Sequence, residues 1–228
     1  MYNSQELEFL FLRLQGAEIG WRRDDNPLSR SRRVATTNDN IIFCMHLVEG
    51  GRWLLVVSGT GSVTYLDLDS PTITETTLIS DQIDDPTPTD WMYTEMRVAI
   101  DMDKASPLLA FNIALAFCSS EENRGPKEPK IQIWHVDLLL DEQQLGVGLT
   151  CKHIATFPLE SDIYFLCALS LLGPHVAFSV RCVGYKQLER TFVVDWERAN
   201  GSLNYSRRLI HPLKSPVRSI PVSPDKPL

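Results

Sequence analysis

No stretch of this 228-residue sequence is apolar for long enough to cross a bilayer, which takes about 20 consecutive apolar residues in a helix. The apolar run near the N-terminus is broken by Glu8 and Arg13, so the basic region, apolar core and cleavage site of a secretory leader are not read there. A disulfide scaffold is disfavoured as well. The cysteines number five, an odd count, and Cys44, Cys118, Cys151, Cys167 and Cys182 lie far apart, mostly inside apolar runs. They read as buried free thiols, and a reducing intracellular compartment, cytoplasmic or nuclear, is expected.

Positive charge is also short. Lys and Arg total 22 against 29 Asp and Glu, a net charge of -7, which disfavours nonspecific binding to nucleic acid or an anionic membrane. The balance is uneven along the chain: Arg22, Arg23, Arg30, Arg32 and Arg33 make a basic stretch, and Asp81, Asp84, Asp85 and Asp90 an acidic one. Surfaces of opposite sign are therefore expected on one acidic protein.

The motifs of common chemistries are missing in the same way. No phosphate-cradling glycine loop is followed by its lysine, and Gly59-Thr60-Gly61 reads as a hairpin. No nucleophile elbow is present, and the neighbouring carboxylates Asp84 and Asp85 fall in a polar connection. The best metal-like set is Cys44 with His46 and Cys151 with His153, because first and third residues of a strand share a face. Interior cysteines and histidines in apolar strands explain these pairs without a metal. The chain is read as non-enzymatic, with no catalytic residue, cofactor or metal.

What the sequence does contain is a recurrence. SVTYLDLDS at 62–70, IQIWHVDLL at 131–139 and TFVVDWER at 191–198 are apolar strand-like runs closing on an aspartate next to Leu or Trp. The repeat markers are Trp53, Asp67, Trp134, Asp137, Asp195 and Trp196; the three aspartates stand 70 and 58 positions apart, so the period is irregular. Each ending follows other strand-like runs, as in the blades of a propeller.

Strands are predicted over 41–48, 53–57, 63–68 and 72–79, then 96–102, 107–118, 131–136 and 150–157, and finally 163–171, 175–182 and 187–194. The expected class is all-β: a partial or irregular β-propeller of about three blade-like antiparallel units with a short N-terminal helix. That helix covers 4–15, where Leu7, Leu10, Phe11 and Leu14 share one face. The chain divides into a helix and polar linker at 1–40, the propeller-like region at 41–200 and a Pro-rich basic tail at 201–228. A seven-bladed ring at roughly 40 to 45 residues per blade needs roughly 280 to 315 residues. Three units leave open sheet edges, which invite intermolecular pairing unless covered.

The segment LVEGGRWLLVVSGTGSVTYLDLDS resembles one found in many F-box proteins of mushroom-forming fungi, in which a Gly-Arg-Trp strand leads through a glycine hairpin into a Trp-Asp-like strand end. The resemblance continues through IQIWHVDLLL, LSLLGPHVAFSV and VVDW, over about two thirds of the chain. Leu66 stands where an aromatic is usual before Asp67, and His135 follows Trp134. The resemblance implies a WD-repeat-related, substrate-binding region of a ubiquitin-ligase adaptor. Since no F-box is recognised before it, the chain is expected to be a truncated relative, a gene fragment or a propeller portion acting without that module.

The function expected is therefore a non-catalytic module that binds a protein partner, with a degenerate structural fragment as the alternative. Loops projecting from such a scaffold carry binding without disturbing its core. The candidate interaction loops hold Gly59 and Gly61, then Glu121, Glu122 and Lys127, and finally Lys186.

Overall fold

A computed structural model describes residues 42–70, 72–82, 94–119, 129–143, 145–159, 163–182, 189–199, 201 and 205–210. They form three four-stranded antiparallel sheets, each a meander in which neighbours in sequence are neighbours in space. The first holds β1 (Ile42–Leu47), β2 (Trp53–Ser58), β3 (Val63–Asp67) and β4 (Glu75–Ile79). The middle sheet holds β5 (Thr94–Met102), β6 (Ala110–Ser119), β7 (Lys130–Leu140) and β8 (Gly146–Pro158). In the third are β9 (Ile163–Leu172), β10 (His175–Cys182), β11 (Glu189–Asp195) and β12 (Arg207–Ile210), with the four-residue helix α1 (Trp196–Ala199) after β11.

The all-β class and the three blade-like antiparallel units expected from the sequence are what form. Among the described residues the sheets stack without closing a ring: the main contacts between them run from β5 and β6 to β9, from β4 to β8 and from α1 to β8. The helix expected over 4–15 lies outside the described residues, and α1 is the helix within them.

Burial follows the strand alternation and places the middle sheet inside. In β6, Phe111, Ile113, Leu115 and Phe117 point to one side and join Trp53, Leu55, Val57 and Val63 of the first sheet in one apolar cluster. Ala114, Ala116 and Cys118 point to the other side and meet Leu166, Val176, Phe178, Val180 and Phe192 of the third sheet. All seven of these β6 side chains are at most 1% exposed. Large residues on one face and small ones on the other make the two sides of β6 unequal. The small face accommodates the bulky side chains of the third sheet, and β9 crosses close to β5 and β6 there.

Several strands differ in extent from the prediction, and β7, β8 and β12 differ most: β7 runs on to Leu140, past the expected end at 136. β8 begins at Gly146, ahead of the expected start at 150, because the longer β7 offers Leu139 and Leu140 as partners for Gly148 and Gly146. A Cβ on Gly148 would stand 2.8 Å from the Tyr65 hydroxyl, and one on Gly146 3.1 Å from Leu138 Cδ1. β12 was not expected, since its four residues Arg-Arg-Leu-Ile carry no clear alternation. It forms by pairing with the free edge of β11, Thr191 opposite Ile210 through Val194 opposite Arg207.

The two faces of β6 should respond to opposite changes. Phe117→Ala leaves a cavity against the first sheet and should cost about 3 to 5 kcal/mol, while Ala116→Leu overfills the other side at about 1 to 3 kcal/mol. Urea unfolding followed by tryptophan fluorescence measures both. A neutral Ala116→Leu would contradict the tight packing of the third sheet on β6.

Candidate interaction surfaces

The recurring aspartates occupy one topological place. Asp67, Asp137 and Asp195 lie on the third strand of the first, middle and third sheets, opposite Trp53, Ala110 and His175, the first residue of each second strand. In every case the next residue donates its N–H to the carbonyl just before that second strand. Leu68 reaches Arg52 at 2.8 Å, Leu138 reaches Leu109 at 3.0 Å and Trp196 reaches Pro174 at 3.0 Å. The motif visible in sequence thus coincides with a backbone bond that closes the same end of each sheet.

The side chains around that shared bond differ. Asp67 takes a two-pronged interaction from Arg52, Nε to Oδ1 at 3.1 Å and Nη2 to Oδ2 at 2.8 Å. The Arg52 guanidinium also lies 4.4 Å from the ring centroid of Trp53, and Trp53 meets Tyr65 edge to face at 5.5 Å. Asp137 is approached by His135 Nε2 at 3.2 Å, and His135 Nδ1 lies 2.8 Å from Asn112 Oδ1. Asp195 accepts the Arg198 N–H at 3.3 Å and pairs with its side chain. Trp196 donates its indole N–H to the Gly173 carbonyl at 2.8 Å. Trp134 sits where β7 shifts register against β8, edge to face with His153 at 4.8 Å.

Burial works against ionisation of Asp67, but the Arg52 hydrogen bond, the Asp69 N–H, the Arg52 charge and the Ser70 N–H together hold its carboxyl below the usual carboxylate value. A lowered native pKa stabilises the fold above the unfolded pKa, and that stabilisation disappears as pH falls through the native value.

The loop residues fall in two groups. Gly59 and Gly61 lie in the β2–β3 turn, where Thr60 and Ser62 are 4% and 5% exposed. There Ser58 Oγ lies 2.7 Å from both Thr60 Oγ1 and Ser62 Oγ, and Thr60 donates to Asp81. Gly61 has a φ of 83°, and a Cβ on it would come within 2.5 Å of Phe117 Cε1. The turn is folded onto the middle sheet. Glu121, Glu122, Lys127 and Lys186 lie outside the described residues.

The two cysteine-histidine pairs are not brought together. Cys44 and His46 are on β1, at one edge of the first sheet, and Cys151 and His153 on β8, at one edge of the middle sheet. Cys151 donates its thiol to the Leu78 carbonyl at 2.7 Å, and burial raises the pKa of both thiols. Among the described residues no three His, Cys, Asp or Glu gather to hold a metal, and no helix is long and apolar enough to cross a membrane.

With the middle sheet enclosed, the outward faces of the first and third sheets remain. On the third, cross-strand register puts His175, Ala177 and Ser179 beside Asp195, Val193 and Thr191, opposite to the core-facing Val176, Phe178, Val180, Phe192 and Val194. Ser179 and Thr191 share a hydroxyl hydrogen bond of 2.8 Å. A groove of about 780 Å³ opens along this side, lined by His175, Val193, Asp195, Arg198, Arg208 and neighbouring residues. This face combines small side chains with both signs of charge. Sequence reading passed over it, although the alternation of large apolar with small or polar residues in β10 and β11 is the signal that marks it.

No protein-family model matches the chain, and no curated protein matches it. Among solved structures, the WD40 domain of SCAP from fission yeast is similar at a TM-score of 0.41 and 12% identity, over 75% of this chain and 34% of that one. The chain spans about a third of the length of that structure.

Asp67→Asn should lower stability at neutral pH. Its difference from wild type should hold from neutral pH down to about pH 5 and fade below about pH 4, as the native carboxylate protonates; urea melts across pH 3 to 7 measure it. The glycines offer a second check. Gly51→Ala strains only a φ of 71° and should cost about 1 kcal/mol, whereas Gly61→Ala adds a collision with Phe117 and should cost at least about 2 kcal/mol. Equal losses would show that the turn does not press on β6.

Proposed function

We propose that this protein is a non-catalytic protein-interaction module, related to the substrate-binding region of an F-box adaptor, and that it presents the outward face of its third sheet to a protein partner. The observation that carries the reading is that face itself. Among the described residues no other sheet covers it; the short edge strand β12 bounds it, and His175, Asp195, Arg198 and Arg208 line it around Val193. Paired charges beside a small apolar floor suit a polar protein segment better than a lipid surface or a nucleic-acid backbone, which would favour one sign of charge. The recurring Trp-Asp-like strand ends support the relation to F-box-associated propeller regions.

The alternative, a degenerate propeller fragment without receptor function, draws on the same openness, because a sheet face that no blade covers is also what an incomplete ring leaves. The two readings separate on whether the face is selective. Affinity purification from cells at low salt, with wild type beside Val193→Arg and Arg208→Glu, is the test. A receptor should retain a reproducible partner that each variant loses by about tenfold, equivalent to about 1.4 kcal/mol. Partners recovered equally by all three chains, or by none, would leave the fragment reading standing.

A further inference from the structure

The strands at the sheet edges are not alike. β4 carries Glu75, β5 carries Glu95, Arg97 and Asp101, β8 carries Lys152, and β12 carries Arg207 and Arg208. Charge on an edge strand discourages pairing with another chain. β9 has no such charge, but it packs against β5 and β6. β1 has the sequence Ile-Phe-Cys-Met-His-Leu, without Asp, Glu, Lys, Arg or Pro, and among the described residues it borders β2 alone. Met45 and Leu47, on one face, are 63% and 53% exposed, and His46, on the other, is exposed too. The backbone shows what this edge offers. Val48 donates its N–H to the Trp53 carbonyl at 2.9 Å, and bonding to one neighbour alternates along an antiparallel strand. His46 and Cys44 therefore bond towards Leu55 and Val57 of β2, while the N–H and C=O groups of Met45 and Leu47 point out of the sheet. The register irregularity of β1 lies between Ile42 and Cys44, which leaves the stretch from Cys44 to Leu47 regular.

We propose that β1 pairs antiparallel with β1 of a second copy of this chain, about a two-fold axis at His46, so that Met45 lies opposite the second copy's Leu47. The two first sheets then join edge to edge as one. In this register Met45 and Leu47 each exchange backbone hydrogen bonds with the residue opposite, and apolar side chain meets apolar side chain on the same face. A two-fold interface uses one patch on both copies, and a strand without net charge does not repel its own likeness. The pairing consumes both β1 edges. Association stops at two, because the far edges of the joined sheet are the charged β4 strands, which discourage a third copy. One strand pair buries less than a standard interface of about 1,600 Å², so the dimer forms at micromolar concentration. The inference goes beyond the proposed function and uses a different sheet, leaving the groove of the third sheet free on each copy.

Sedimentation velocity of the full chain over a range of micromolar concentrations tests this. Wild type should pass from monomer to dimer. Met45→Lys with Leu47→Lys sets like charges opposite one another and should weaken the dimer by at least about tenfold, as should Met45→Glu with Leu47→Glu. An equimolar mixture of the two charged chains should dimerise again, and Leu172→Lys on the third sheet should dimerise like wild type. Circular dichroism checks that each variant keeps its sheets. A wild type that stays monomeric, a dimer indifferent to charge at Met45 and Leu47, a mixture that stays monomeric, or a dimer lost with Leu172→Lys would each overturn the proposal. Amide hydrogen exchange on the unaltered protein is the second arm. Exchange at Met45 and Leu47 should slow several-fold as concentration rises while that of Thr76 on β4 stays constant, and exchange at Met45 and Leu47 independent of concentration would overturn it as well. Neither arm involves a foreign partner, so failure of the receptor reading leaves this result intact.

Discussion

Everything in this structure is arranged around a strand buried on both faces. β6 has no solvent side: its large side chains fill the space beneath the first sheet, and its alanines and Cys118 receive the third. Burying side chains of this size stabilises by about 1.5 to 3 kcal/mol each, and here both alternating sets of one strand contribute. The inequality of the two faces sets the spacing of the stack. Phenylalanines hold the first sheet away, while alanines let β9 come near.

Enclosure of the middle sheet turns the outer two into termini, and termini need different solutions. The third sheet is finished with small residues and charge, so its open face is compatible with water. The first carries Met45, Leu47, Leu54, Val56 and Leu66, which is the composition of an interior. The contrast gives the stack a direction, with one apolar outer face and one that is small and charged.

Much of the fold was legible because its strands are long and bounded by turn residues. Runs such as IIFCMHLV and HVAFSVRC, set off by Gly50-Gly51 and Gly173-Pro174, announce themselves. β12 did not, since an edge strand of four residues depends on β11 for its existence and has little pattern of its own. The repeat markers were visible because an apolar run ending in Asp is conspicuous. Their surroundings were not: nothing at Asp67, Asp137 or Asp195 reveals that the partners are Arg52, His135 and Arg198. The groove was missed because it is made by lateral neighbours, with His175, Val193 and Arg208 meeting only when three strands align.

The bond that closes each sheet joins one backbone amide to one backbone carbonyl, at Leu68 and Arg52, Leu138 and Leu109, and Trp196 and Pro174. None of the six side chains takes part in it. Such a joint asks of the donor site only that it not be proline and asks nothing of the acceptor's side chain, so units that share it can differ in spelling while keeping the same closing geometry. A lineage assembled in this way would lose its textual likeness long before its shape.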